Sequence, residues 1–218
     1  MIQNLIFDLD GTLLDTLPDI TRAINDALHI EGYSYSFSLE EAKTLIGGGA
    51  DRLVKRALKD QGNDPASFAS LKRTYMPLYK AYQEDNTKPF PGLVNVLKSF
   101  QGRGIKMFVV SNKPDALVQI VVPHYLPGLF DGVSGQKEGE APKPNPASTL
   151  RVIDRFSLNK EETLYVGDSS FDIETAHNAG LKSVLVKWGY GFYTQELESQ
   201  SDYVVSSPNN LANLVMGL

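Results

Sequence analysis

The sequence Leu5-Ile6-Phe7-Asp8-Leu9-Asp10-Gly11-Thr12 decides the fold of this chain. Its unbroken apolar start is typical of a strand that is buried on both faces inside a parallel sheet. Ligands of such sheets bind beyond the carboxyl ends of the strands, and Asp8 and Asp10 lie at such an end. Successive side chains of a strand point to opposite faces, so the two carboxylates can share one side.

Two carboxylates this close together repel, and each tends to raise the pKa of the other. A cation that both share would relieve the repulsion, and oxygen ligands of this kind suit Mg²⁺. Asp and Gly also favour turns, so an ordinary turn at a strand end is the alternative interpretation of Asp8 to Gly11. Residues Leu5 to Asp15 together are more specific, and they resemble motif I of the haloacid dehalogenase-like phosphohydrolases.

The composition is that of an ordinary globular protein. The 218 residues allow one large domain or two small ones, and a net charge of -5 argues against a nucleic-acid-binding surface. Because cysteine is absent, disulfides, thiol nucleophiles and cysteine-ligated metal sites are excluded. We find no signal peptide, and no apolar run approaches the roughly 18 residues of a membrane span. We therefore expect a cytoplasmic protein without membrane contact, either a monomer or a homodimer.

After Asp15 the periodicity becomes helical, and four consecutive helices with short links predict a small bundle. Thr16 and Asp19 form a potential cap of the first helix, and the second helix is expected to end at the glycines of residues 47–49. The fourth helix carries a stripe of aromatic residues, which we interpret as part of a hydrophobic core.

Beyond the proline- and glycine-containing connector at residues 88–92, helices and strands alternate, which implies a doubly wound parallel sheet. Further strands are predicted at residues 105–110, 163–166, 183–186 and 203–205. The predicted fold class is α/β, with an inserted α-helical bundle. We assign residues 1–15 and 89–218 to a Rossmann-like catalytic core that is split in sequence. Residues 16–88 form the bundle, which resembles the small helical cap of the haloacid dehalogenase-like family.

Polar residues follow several of the predicted strands, where the fold places a site. These residues are Ser111, Asn112, Lys143, Asp168 and Asp172. Each has an ordinary interpretation when taken alone: a turn for Ser111 and Asn112, solvated surface for Lys143, and a capping box with Ser169 for Asp172. Their joint order matches all four motifs of the haloacid dehalogenase-like family across essentially the whole chain.

The resemblance implies a Mg²⁺-dependent phosphatase that works through an aspartyl-phosphate intermediate. Asp8 is then the nucleophile, and Asp10 is the acid that protonates the leaving alcohol and later the base that activates water. The implied phosphate ligands are Ser111, Asn112 and Lys143, helped by backbone N–H groups near Leu9 and Asn112. The implied Mg²⁺ ligands are the Asp8 carboxylate, the Asp10 backbone carbonyl and Asp168, with Asp172 as a support.

Closer similarity to the phosphoglycolate phosphatase branch runs through residues 16–24, 46–50, 89–92 and 187–191. It implies a small phosphorylated metabolite as substrate, with hydrolysis of 2-phosphoglycolate to glycolate and phosphate as the favoured reaction. The candidate substrate contacts in the cap are Arg22, Gly48 and Arg52, because an arginine fork suits a small dianionic acid. The alternative is that the glycines only end a helix and that both arginines are surface residues.

Other activities on the same scaffold stay open. A pyrophosphatase or a broad-specificity phosphatase would differ only in the pocket of the cap. A phosphosugar mutase would use the same carboxylates, but residues 16–88 show no convincing sugar-recognition pattern. The presence of Asp10 argues against a phosphonate hydrolase, and the intact motif residues argue against a non-catalytic binding module.

Overall fold

The computed structural model describes residues 1–218 and places a six-stranded parallel sheet at the centre of the protein. Two further short strands form a separate ribbon, and the strands in chain order are β1 (Asn4–Phe7), β2 (Leu14–Asp15), β3 (Lys88–Pro89), β4 (Lys106–Pro114), β5 (Gly132–Gln136), β6 (Thr163–Gly167), β7 (Lys182–Val186) and β8 (Tyr203–Val205). The order across the sheet is β5-β4-β1-β6-β7-β8, so β1 lies between β4 and β6.

Ten α-helices pack on and beside this sheet. They are α1 (Leu17–Ile30), α2 (Leu39–Lys43), α3 (Ala50–Ala57), α4 (Pro65–Tyr82), α5 (Leu93–Gly102), α6 (Asp115–Tyr125), α7 (Ala147–Phe156), α8 (Ser170–Ala179), α9 (Gln195–Gln200) and α10 (Pro208–Gly217). None of the ten has the length together with the apolar sequence that crossing a bilayer requires.

The central strand β1 is buried on both faces, as its apolar sequence predicted. Leu5 and Phe7 belong to one hydrophobic cluster, with residues of α5, α6 and α10. Ile6 belongs to the cluster on the opposite face, which α7 and α8 cover. Each of these enclosed side chains contributes roughly 1.5–3 kcal/mol relative to exposure, so β1 holds both layers together. The predicted doubly wound α/β fold is confirmed.

The helices α1, α3 and α4 share a hydrophobic core that only Leu117 joins from the sheet layer. Ile20 and Ile24 of α1 lie in it, at the helical spacing that the sequence predicted. Tyr75 and Tyr79 of α4 also belong to it, and their rings stack with centroids 5.5 Å apart. The α1 to α4 segment is hereafter the helical layer, and its assignment to a separate cap stays a prediction.

The two chain crossings between the helical layer and the sheet layer lie side by side. There β2 and β3 pair as an antiparallel ribbon. Next to the ribbon, the buried carboxylate of Asp19 accepts hydrogen bonds from the backbone N–H groups of Asn86 and Thr87. The predicted cap of α1 by Thr16 and Asp19 is therefore wrong, because the second crossing occupies the Asp19 carboxylate and Thr16 makes no capping hydrogen bond.

Polar segments account for the other corrections. Neither β5 nor α9 is predicted from the sequence, because this edge strand consists largely of glycine and polar residues and the helix buries only Leu197. The helix α2 ends at Lys43, so the glycines of residues 47–49 do not terminate it. Instead, Gly49 directly precedes α3 as its N-cap.

Candidate active site

The seven core residues that the sequence singled out all border one cavity of ≈ 390 Å³. We refer to these residues as the sheet wall: Asp8, Asp10, Ser111, Asn112, Lys143, Asp168 and Asp172. Asp8 and Asp168 directly follow β1 and β6, and Ser111 and Asn112 lie in the last part of β4; the carboxyl ends of these three neighbouring parallel strands meet at one edge. The opposite side is the helical wall, which consists of Gly47, Gly48, Gly49, Ala50, Arg56, Tyr75 and Tyr79.

Lys143 is the buried cation of the sheet wall, with only 3% of its surface exposed. Its Nζ lies 2.7 Å from Asp8 Oδ1 and 2.7 Å from Asp172 Oδ1, and it also donates to the Val110 carbonyl at 3.2 Å. Although burial alone would lower it, these two carboxylates raise the pKa of Lys143 well above its ordinary value. Lys143 is therefore a permanent positive charge beside Asp8.

Asn112 holds the backbone of Lys143 rather than presenting its side chain to the cavity. The Asn112 Oδ1 accepts a hydrogen bond from the Lys143 N–H at 2.7 Å, and its Nδ2 donates to the Lys143 carbonyl at 3.2 Å. Because both polar atoms of the side chain are engaged, a phosphate contact from Asn112 is left to its backbone N–H. Ser111 Oγ accepts from the Lys113 N–H at 3.2 Å, which leaves the hydroxyl proton of Ser111 to donate.

Three carboxylates of the sheet wall crowd together. Oxygen atoms of Asp8, Asp168 and Asp172 lie within 4.8 Å of one another. Burial raises the pKa of Asp8 well above its ordinary value, although Lys143 opposes the shift. Burial and the charge of Asp172 raise the pKa of Asp168 to about 7. The cluster therefore carries more negative charge than one lysine offsets.

This donor set fits a divalent cation. Carboxylate oxygens are hard ligands, and a shared cation would offset both the burial and the repulsion that raise the pKa values of Asp8 and Asp168. Asp168 is fixed by two donors, since Thr12 Oγ1 reaches its Oδ1 at 3.2 Å and the Tyr190 N–H reaches its Oδ2 at 2.7 Å. A metal ion is thus compatible with the residues present, and the burial of the cluster would shield it from solvent.

Asp172 combines the two roles that its sequence position suggested. Its Oδ2 accepts from the Ser169 N–H at 3.1 Å and from Ser169 Oγ at 2.6 Å, which confirms the predicted capping box of α8. Its Oδ1 contacts Lys143. Because both oxygens already have partners, Asp172 is placed to orient Lys143 and to support the metal site from behind.

The turn after Asp10 leaves no room for a side chain. Gly11 has a φ of +87°, a conformation that side chains disfavour, and a Cβ atom there would lie 2.5 Å from Asp168 Oδ2. The glycine in the motif is therefore required both by the turn and by the close approach of Asp168.

Only one of the three candidate substrate contacts in the helical layer borders the cavity. Gly48 borders the cavity, but Arg22 and Arg52 do not. The guanidinium of Arg22 bonds Asp85 at 2.8 Å and lies over the Tyr82 ring, so it faces away from the site. The guanidinium of Arg52 lies 5.1 Å from the ring centroid of Phe171. The geometry thus gives no support to a substrate contact by Arg22, because its partners hold it on the outer surface.

Three cationic residues that the sequence did not single out border the cavity: Lys43, which pairs with Glu40 at 2.6 Å, Arg56 and Lys113. Arg56 is half-buried, and its Nη1 donates to the carbonyls of Leu45 and Ile46 at 3.2 and 2.8 Å, which ties the glycine loop to α3. Lys113 is buried and lies 3.7 Å from Asp10 Oδ1. The only feature of the sequence that points to Lys113 is its position directly after Ser111 and Asn112. A lysine is usually exposed to solvent, so the sequence does not predict its burial.

The chain is similar to known proteins over most of its length. The family model for haloacid dehalogenase-like hydrolases matches residues 5–186. The phosphoglycolate phosphatase of Aquifex aeolicus is 31% identical over 97% of this chain and 95% of its own, and that of Cereibacter sphaeroides is 38% identical over 87% of each. The crystal structure of a predicted phosphoglycolate phosphatase from Haemophilus somnus superposes with a TM-score of 0.89, at 29% identity, over 98% of this chain and 97% of the other.

Proposed function

This chain belongs to the haloacid dehalogenase-like hydrolases, and we propose that it is a phosphatase that hydrolyses 2-phosphoglycolate to glycolate and phosphate. The observation that carries the proposal is the 2.7 Å contact between Asp8 Oδ1 and Lys143 Nζ, in a cavity that Asp10 and Ser111 also border. A carboxylate nucleophile, an acid and two phosphoryl ligands therefore face the same space. The substrate is inferred from the phosphoglycolate phosphatases that match this chain over most of its length.

The proposed reaction has two steps. In the first, an oxygen of Asp8 bonds to phosphorus while the bond between phosphorus and the leaving oxygen breaks, and Asp10 gives its proton to that oxygen. The alcohol leaves, and an aspartyl-phosphate remains on Asp8. In the second step, water attacks the same phosphorus, Asp10 takes back a proton, and phosphate leaves as the Asp8 carboxylate is restored. The net reaction consumes one ester and one water.

The residues around Asp8 stabilise charge on the phosphoryl oxygens, which is the main task of a phosphoryl-transfer site. Lys143 supplies a buried positive charge, and Asn112 and Asp172 hold it in place. Ser111 supplies a hydroxyl donor. The proposed division of labour is therefore that Asp8 and Asp10 react while Ser111 and Lys143 bind.

We propose Mg²⁺ as the metal ion, because the donors are all oxygen atoms. Asp8, Asp168 and the Asp10 backbone carbonyl would hold it, with Asp172 in support. When bound, the ion supplies positive charge against the carboxylates and the phosphoryl group. The cytoplasmic location, the monomeric or dimeric state and the division of the chain at residues 16–88 stay predictions.

A broad-specificity phosphatase is the second candidate. The cavity is larger than a two-carbon acid requires, and its border includes Phe171 and the exposed ring of Phe192. These apolar surfaces would tolerate a bulkier leaving group. The two candidates share the chemistry of the sheet wall and differ only in selectivity.

A substrate panel separates the two candidates. Phosphate release would be measured with Mg²⁺ from 2-phosphoglycolate, pyrophosphate, hexose phosphates, nucleotides and an aryl phosphate. We expect kcat/KM for phosphoglycolate to exceed the others by at least about tenfold, which is about 1.4 kcal/mol in transition-state binding. A flat profile would favour the broad-specificity enzyme, and no release from any compound would contradict the proposed function.

Asp8→Asn, purified in parallel, is the matched control for a contaminating phosphatase. It keeps the size of the side chain but removes the nucleophilic carboxylate, so we expect turnover to fall by at least about 10³-fold with the thermal unfolding transition retained. Chelation by EDTA should abolish the wild-type activity, and added Mg²⁺ should restore it. Near-normal turnover by Asp8→Asn, with the identity and purity of the protein checked, would exclude Asp8 as the nucleophile.

A further inference from the structure

Lys113 is a buried cation that the proposed reaction does not use. Only 4% of its surface is exposed, and it lies where the sheet wall meets the helical wall. On one side its Nζ is 3.7 Å from Asp10 Oδ1. On the other side it donates to the Tyr79 hydroxyl of α4 and lies 4.0 Å from the centroid of the Tyr79 ring. A single side chain thus connects the proposed acid to the helical layer.

Asp10 is held less firmly than the other carboxylates of the sheet wall. Asp8 has Lys143 at 2.7 Å, and both oxygens of Asp168 accept hydrogen bonds. The Oδ1 of Asp10 is buried and accepts none, and Lys113 is its only ion-pair partner. Coulomb attraction is stronger in a buried site than in water, so Lys113 attracts this oxygen without competition from a hydrogen bond.

We propose that Lys113 is a positioning residue for Asp10 and that Tyr79 holds Lys113 in place from the helical wall. This inference rests on the proposed function, in which Asp10 protonates the leaving oxygen. An acid acts only when its proton lies within hydrogen-bond reach of that oxygen, so a small displacement of Asp10 slows proton transfer. The contact with Tyr79 makes the placement of the acid depend on the position of α4.

The inference predicts a dependence on the leaving group. An alkoxide is a poor leaving group and needs a proton from Asp10, whereas 4-nitrophenolate leaves without one. The test therefore compares three substrates: 2-phosphoglycolate, ethyl phosphate and 4-nitrophenyl phosphate. The quantity measured is kcat/KM, because it reports the steps up to departure of the leaving group and excludes the later hydrolysis of the aspartyl-phosphate.

For Lys113→Met, we expect kcat/KM to fall about 30-fold on both alkyl phosphates and less than about threefold on 4-nitrophenyl phosphate. Tyr79→Phe keeps the ring and removes only the hydroxyl, so it should give a smaller shift in the same direction. Its matched control is Tyr35→Phe, which removes a hydroxyl that donates to the Ala57 carbonyl at 2.9 Å, away from the cavity. If Lys113→Met does not fold, Tyr79→Phe alone carries the comparison.

Two outcomes would overturn the inference. Equal losses on all three substrates would mean that Lys113 is a structural residue only. A loss confined to 2-phosphoglycolate would mean that Lys113 binds the substrate carboxylate instead of positioning Asp10. A wild-type protein that hydrolyses none of the three would instead contradict the proposed function, and the premise of the inference with it.

Discussion

The sheet wall and the helical wall face the same cavity but hold their polar groups in different ways. In the sheet wall, Lys143 contacts two carboxylates at 2.7 Å, and Asn112 clamps its backbone from both sides. In the helical wall, three glycines and two tyrosine rings face the cavity, and Arg56 donates hydrogen bonds to backbone carbonyls. The sheet wall therefore holds the charged groups of the proposed reaction, whereas the helical wall mainly gives the cavity its shape.

The difference has an energetic reason. Burying charge without a partner is costly, so the carboxylates of the sheet wall depend on Lys143, and on a metal ion when one is bound, to offset their charge. The helical wall contains no comparable set, because its only charged member is Arg56, which is half-buried. Loss of the sheet-wall cation Lys143 should thus lower activity and stability together, whereas substitutions in the helical layer should change them separately or hardly at all.

Lys143→Met is expected to have the largest combined effect. Loss of the phosphoryl ligand should lower kcat/KM by at least about 10²-fold. Loss of the cation that Asp8 and Asp172 share should lower the free energy of unfolding by about 3 kcal/mol near neutral pH. Lys98→Met, at an exposed position of α5, is the matched control and should change neither.

The stability loss of Lys143→Met should depend on pH. Without the lysine, which opposes the shift, the folded-state pKa of Asp8 rises further above its unfolded value. A carboxyl shifted in this direction destabilises the fold progressively as pH increases through its range and costs nothing once it is protonated. Urea unfolding in EDTA should therefore show a larger deficit at about pH 8 than at about pH 5. A deficit that is the same at both pH values would contradict the shared-cation account.

The sheet wall could be largely predicted from the sequence because strand geometry determines it. An apolar run that ends in carboxylates places Asp8 at the carboxyl edge of a parallel sheet, and Asp168 follows β6 in the same way. Because strand β1 pairs with both β4 and β6, residues that are far apart in sequence come together at this edge of the sheet. The pattern of strands is enough to predict this.

The contacts that the sequence did not reveal depend on side chains meeting across long separations. The pairing of Asn112 with the Lys143 backbone joins residues 31 positions apart, and nothing local indicates it. The burial of Lys113 depends on the packing of α4, which places Tyr79 beside it. The outward position of Arg22 depends on a partner, Asp85, which lies 63 positions further along the chain, after α4. Helix packing decides these contacts, and helical periodicity alone does not specify it.

Tyr190→Phe tests the junction between the two layers, where we expect an intermediate effect. The Tyr190 hydroxyl accepts from the Thr16 and Leu17 N–H groups at 2.6 and 2.9 Å, and it donates to Asp15 Oδ1 at 2.7 Å. Removing it leaves two buried donors without this partner, which should lower the free energy of unfolding by about 2 kcal/mol.

Urea unfolding of Tyr190→Phe would be compared with that of Tyr203→Phe, since the Tyr203 hydroxyl makes no side-chain hydrogen bond in the structure. The backbone N–H that Tyr190 donates to Asp168 is retained in the variant. We therefore expect kcat/KM to fall less than in Lys143→Met. A loss of activity as large as in Lys143→Met would mean that the junction and the sheet wall form one unit, which would break the distinction between the two walls.

Arg22→Ala should have the smallest effect. The ion pair of Arg22 with Asp85 is about half exposed on both sides, and such surface pairs contribute roughly 0–1 kcal/mol. Because the guanidinium faces away from the cavity, KM for 2-phosphoglycolate should stay within about twofold of the wild type. Arg52→Ala, measured beside it, removes the group that lies over Phe171 at the cavity border and should raise KM more than Arg22→Ala does. A large increase of KM in Arg22→Ala alone would show that the helical layer rearranges when substrate binds and turns this arginine inward. The helical wall would then contribute charge as well as shape.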